Sequence, residues 1–104
     1  MMKAIARIRF LSAEEGGRSQ PIPLMNLSCP VFFQNIPELS KHGYDCRVLV
    51  LEHGAEIVPG ELVENLGMLF LYPHDVFPFI KPGTKFSLWE AGTIANGEIM
   101  DLIN

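Results

Sequence analysis

The chain has 104 residues, 48% of them hydrophobic and 19% charged, with a formal charge of −4 from eight Lys/Arg against twelve Asp/Glu. Residues 1–104 are read as one domain, with no room for a second core. The apolar fraction excludes a disordered tract, and the acidic balance withholds the basic field that drives sequence-independent nucleic-acid binding.

Lys3, Arg7 and Arg9 interrupt the apolar opening run, which neither a secretory signal nor a membrane-spanning helix tolerates. A cytoplasmic protein without membrane association is expected. A first strand over Lys3–Ser12 places Ala4, Ala6, Ile8 and Phe10 on one face and the three cations on the other. The polar stretch Ala13–Asn26 holds Gly16-Gly17, Pro21 and Pro23, and reads as a long exposed loop. A second strand is predicted over Cys29–Asn35, with Pro30 suited to strand entry or an edge. A third is predicted over Tyr44–Glu52, the intervening 36–43 holding one helical turn at most.

The segment His53–Gly60 reads as a turn ending in Pro59-Gly60, before a long strand over Glu61–Tyr72. Pro73–Pro78 breaks the pattern and Lys81-Pro82-Gly83-Thr84 makes a tight turn. Two last strands follow at Lys85–Glu90 and Thr93–Leu102, with Ala91-Gly92 where a hairpin requires positive φ. Short strands at regular spacing, with almost no helix, indicate an all-β antiparallel barrel or sandwich.

Chemistry-bearing motifs are sparse. His42, His53 and His74 fall on predicted loops without metal-ligand spacing, and no Gly-x-Ser-x-Gly elbow occurs. Gly16-Gly17 lacks the Lys-Ser/Thr and following helix of a phosphate loop. Cys29 and Cys46 read as buried free thiols. No enzyme, cofactor or metal site is expected. The loop Val76-Phe77-Pro78-Phe79 is the best candidate for a partner-binding patch, because prolines lower the ordering cost and Phe77 and Phe79 supply anchor area. The same loop could instead fold back to plug a barrel end, and Trp89 is expected to be half-buried.

Four pieces in order carry a family resemblance: Ser12-x-Glu14-Glu15-Gly16-Gly17-Arg18-x-x-Pro21, Cys29-Pro30-Val31-Phe32-Phe33, Ile57-Val58-Pro59-Gly60, and Gly83-x-x-Phe86-x-Leu88-Trp89-Glu90-Ala91-Gly92 running on to Gly97 and Ile99. Together they resemble the C-terminal (third) domain of translation elongation factor Tu, over Ala4 to Ile103. The resemblance implies a six-stranded Greek-key β-barrel without catalytic machinery, used as a surface for protein partners and the aminoacyl-tRNA arm. It makes Arg18, Ser19 and Gly92 candidate binding positions. Ser19 stands where the family has a histidine and Val31 where it has a glutamine, Ala91-Gly92-Thr93 shortens its last hairpin element, and 35–45 differs from it. These departures lie on the family's tRNA-facing side. A non-catalytic protein-binding module is therefore expected, as an adaptor, an immunity-type partner or a translation-associated partner. The alternatives are a tRNA- or RNA-binding accessory protein and a small enzyme with an unrecognised cleft. For Arg18 the competing role is anchoring its own loop to Glu14, Glu15 or backbone carbonyls. A homodimer through an exposed barrel face is compatible with the sequence.

Overall fold

In the computed structural model, which describes residues 2–104, β1 (Lys3–Phe10) buries Ala4, Ala6, Ile8 and Phe10 and turns Arg7 and Arg9 to solvent. This is the alternation read from the sequence. The strand continues no further because Ser12 caps a 3-10 turn over Ala13–Glu15. Its hydroxyl accepts from the Glu15 N–H, while the Glu15 carboxylate accepts from the Ser12 N–H. Gly16 follows at φ 92°, and Gly17 is pressed so close to the Leu11 carbonyl that a Cβ would collide with it.

The remaining strands are β2 (Leu27–Phe33), β3 (Tyr44–Val48), β4 (Leu62–Phe70), β5 (Lys85–Trp89) and β6 (Thr93–Ile103). They close into an antiparallel six-stranded barrel in the order β1-β4-β3-β2-β5-β6, with β6 pairing back onto β1. β4, β3 and β2 are sequential neighbours, with β1 beside β4 and β5 beside β2, so two Greek keys share the central three strands. The strand directions give the barrel two ends. One carries 11–26, 49–61 and the hairpin 90–92; the other carries 34–43, 71–84, the start of β1 and the end of β6.

Inward side chains from all six strands form one apolar cluster. Phe86 is completely buried, and its ring lies over Gly97, its cross-strand partner: a Cβ on Gly97 would come within 2.5 Å of that ring. Phe33 packs on Phe86 at 6.3 Å and on Phe70 at 5.8 Å between centroids, extending the aromatic core toward the second end. Three one-residue slips, between Ala6 and Ile8 against β4, Ile5 and Ala6 against β6, and Leu88 and Trp89 against β6, bend the ladders as closure demands. Asn65, at φ 54°, sits in the first of them.

Several expectations need correction. The loop 13–26 is not exposed throughout: Ile22 is 2% exposed and exchanges backbone hydrogen bonds with Ile57 at 2.8 and 3.0 Å. The third strand stops at Val48, and Val50–His53 forms a helical turn (α1) capped by Gly54 at φ 88°. Its apolar run fits a strand and a buried turn equally well. The fourth strand ends at Phe70, and a second helical turn, Pro73–Val76 (α2), follows.

Pro30 lies in the middle of β2, in a barrel without edges. The Asp45 carbonyl accepts from Leu71, so Asp45 turns its backbone toward β4. By alternation Pro30, paired opposite Asp45, turns its nitrogen away from β3 to the β5 side, where the ladder begins only at Val31. The missing N–H thus falls just beyond the end of one ladder.

The Gly97–Phe86 approach predicts that Gly97→Ala destabilises the chain by about 1–3 kcal/mol in urea unfolding. A double-mutant cycle with Phe86→Leu should return a coupling of at least about 0.5 kcal/mol, since the smaller side chain relieves the same clash.

Candidate binding surface

Arg18 reaches from the first loop to the last hairpin. Its Nη1 donates to Glu90 Oε1 at 2.6 Å and its Nε to the Gln20 carbonyl at 3.3 Å. The anchoring role is therefore present, but the carboxylate is Glu90 rather than Glu14 or Glu15. Glu15 is taken by Arg9, whose Nη2 donates to both carboxylate oxygens at 2.8 Å. The Ser12 N–H first, and Arg9 second, hold the Glu15 carboxyl below its usual pKa. Ser19 is exposed beside Arg18, and Gly92, at φ 142°, follows Ala91 at φ 54° in the turn, as the hairpin geometry requires.

Trp89 lies on the outer face at the end of β5. Its ring stands edge-on to Phe32 of β2, 6.4 Å between centroids and 69° between planes. The two side chains are 43% and 41% exposed, too much for core residues of their size. Pro30 and Gly43 pack alongside Phe32: a Cβ on Gly43 would stand 2.9 Å from both neighbours, so the backbone closes tightly around the aromatic. Strand parity alone could have picked Phe32 as the outward member of Val31-Phe32-Phe33. Glu90 as the partner of Arg18 could not be found that way, since 72 residues separate them.

Phe77 and Phe79 lie at the opposite end. Phe77 is half-buried, packed perpendicular to Phe70 at 6.3 Å, between Val76 and Ile80, which are 1% and 6% exposed. The loop thus plugs the barrel end and leaves Phe79 as its outward aromatic. Arg18, Ser19, Gly92 and Trp89 share one end; Phe77 and Phe79 do not join them.

A hollow of about 530 Å³ crosses the outside of β2, β3 and β4, walled by the side chains of Ser28, Pro30, Asp45, Arg47, Leu69 and Leu71. The row between them, Cys29, Cys46 and Phe70, is buried on the inner side. The cysteines pair directly across β2 and β3 and are free thiols. Burial, aided by the Glu90 and Asp45 carboxylates, pushes the Cys29 thiol up to about 12, and burial with the neighbouring Cys29 raises Cys46 as well. Such thiols are poor nucleophiles at neutral pH.

The histidines are dispersed. His42 stacks on Tyr44 at 4.3 Å with its Nδ1 2.8 Å from the Gly43 carbonyl, His74 lies in α2 at the same end, and His53 lies in α1 at the other. Among the described residues, no group of three or more His, Cys, Asp or Glu side chains could hold a metal ion, and no helix is long and apolar enough to cross a membrane. Neither a scan against protein-family models nor a search of curated proteins gives a match for the sequence.

Because folding raises both thiol pKa values, their contribution to stability is complete below about pH 8.5, the ordinary thiol value, and is lost as pH rises through the folded values. Unfolding free energy should fall by up to about 1.4 kcal/mol per pH unit per thiol above that point. The alkaline slope should flatten in a Cys29→Ala/Cys46→Ala chain, and an aromatic disulfide reagent should label the native thiols only at the rate of opening.

Proposed function

We propose that this chain is a non-catalytic protein-binding module, built on a barrel like the third domain of elongation factor Tu, whose partner is a cytoplasmic protein associated with translation. The observation that carries the reading is the exposed Phe32–Trp89 pair beside a hairpin held by the Arg18–Glu90 ion pair. Large aromatics with little conformational freedom are the side chains that concentrate binding energy at interfaces. Here they sit on strands, where the backbone holds them in place before the partner arrives.

The closed barrel narrows how a partner can engage. The ring leaves unladdered only the short start of β2 toward β5, which includes the donor-less Pro30, so an incoming segment has little edge to extend and recognition runs through side chains on the outer face and the loop ends. A phosphate approaching Arg18 would have to displace the Glu90 carboxylate, in a chain already carrying net charge −4. Both features favour a protein over RNA. The resemblance in the loop 12–21 and the closing hairpin supports the choice of a translation-associated partner.

Affinity capture from native-host lysate, with and without RNase, tests this. A stoichiometric protein that survives RNase, is retained by Phe79→Ala and drops about tenfold or more with Trp89→Ala is the expected result. Enrichment of RNA that disappears with RNase and with Arg18→Ala would replace the reading with recognition of tRNA-like structure.

A further inference from the structure

We infer that the outer face of β2, β3 and β4 is a two-fold interface with a second copy of this chain. The inference is separate from the partner reading, since Trp89 lies on β5 and Phe32 only borders the hollow beside Pro30, and it comes from the pattern of side chains around the hollow. Those side chains form two rows across the strands. Ser28, Arg47 and Leu69 are in register with one another, and so are Pro30, Asp45 and Leu71. Between the rows runs the inward-facing row Cys29, Cys46 and Phe70.

For two such faces to stack, a two-fold axis must lie in the contact plane. An axis running across the strands along the Cys29–Cys46–Phe70 row exchanges the two outward rows between copies. Arg47 then meets Asp45 of the second copy, Leu69 meets Leu71, and Ser28 meets Pro30. Each contact occurs twice, as an isologous interface requires. Charge opposes charge, leucine meets leucine, and the two small side chains leave room where the strands approach. Shifting the axis by one residue along the strands would set Arg47 against Arg47, or Asp45 against Asp45, and turn the charge attraction into repulsion.

The chain leaves these groups free to serve. Asp45 and Arg47 are exposed and take part in none of the four ion pairs among the described residues, all of which lie elsewhere on the barrel. Leu71 is 61% exposed and Tyr72, next to it, 65%. The hollow beside Asp45 is large enough to receive a guanidinium from outside. Aligned packing of two antiparallel sheet faces is a common way for such surfaces to meet, and buried opposite charges fix the register of the contact.

Sedimentation of the full chain from micromolar concentrations up to about 1 mM tests the assignment. The wild-type chain should show a reversible monomer–dimer equilibrium. Asp45→Arg and Arg47→Asp should each weaken it about tenfold or more, because each places like charges at both contacts. An equimolar mixture of these two variants should associate again, since opposite charges then face each other across the interface. Trp89→Ala should leave the equilibrium unchanged while weakening capture of a different protein, so the two readings fail separately. A chain that stays monomeric throughout, a dimer indifferent to both charge changes, or a mixture that does not associate while far-ultraviolet circular dichroism shows both variants folded would each overturn the inference.

Discussion

Closure of the six strands governs the rest of this molecule. β1 must pair with β4 on one side and β6 on the other, and only then does every strand have two neighbours. A ring of this size has an interior just wide enough for side chains, so every inward position is apolar or close to it. The Gly97–Phe86 contact shows how tight the fit is. One strand gives up its side chain so that a full aromatic ring from its neighbour can occupy the interior. The slips in register on either side of β1 supply the curvature that lets the last ladder meet the first.

Closure also decides where chemistry can happen. With the ring closed and the interior filled, recognition is left to the outer faces and the two ends. The ends differ in character. One is sealed by Val76, Phe77 and Ile80 over Phe70. The other is assembled from distant segments, with Ile22 clipped to Ile57 and Arg18 clipped to Glu90. Surface ion pairs of this kind contribute little to global stability. Their effect here is to hold a long loop against a short hairpin, close to the outward Trp89 and Phe32. The β2–β3–β4 face offers a second kind of surface, patterned in charge rather than in aromatics.

Strand periodicity was legible along most of the chain because an inward row alternates with a wet one. β1 and β5 appear where Ala4–Phe10 and Lys85–Trp89 alternate, whereas β6 (Thr93–Ile103) breaks the alternation at its slips, with Ile94 and Ala95 both buried. The run Val48-Leu49-Val50 misled for a physical reason: all three are buried, so no alternation marks the point at which strand gives way to helical turn. Ile22 was missed because a lone apolar residue between prolines carries no periodic signal. Pro30 was assigned to a strand entry on sound grounds, since proline removes a donor; only the pairing of β2 with β5 shows that no donor was called for there.

The sequence by itself determined the all-β class, the inward and outward rows of most strands, and the turns at Pro59-Gly60, Gly83 and Ala91-Gly92. These follow from local rules: period two, positive φ at a few positions, and the chemistry of neighbouring residues. Only the tertiary structure decided which strands are neighbours, that Phe77 and Phe79 lie opposite Trp89, that Arg18 binds Glu90, and that Asp45 and Arg47 border a hollow with two leucines. Each depends on pairings between residues far apart in the chain. Alternation states which face a residue occupies and leaves open what lies beside it, because the ladder partner is set by closure of the whole ring.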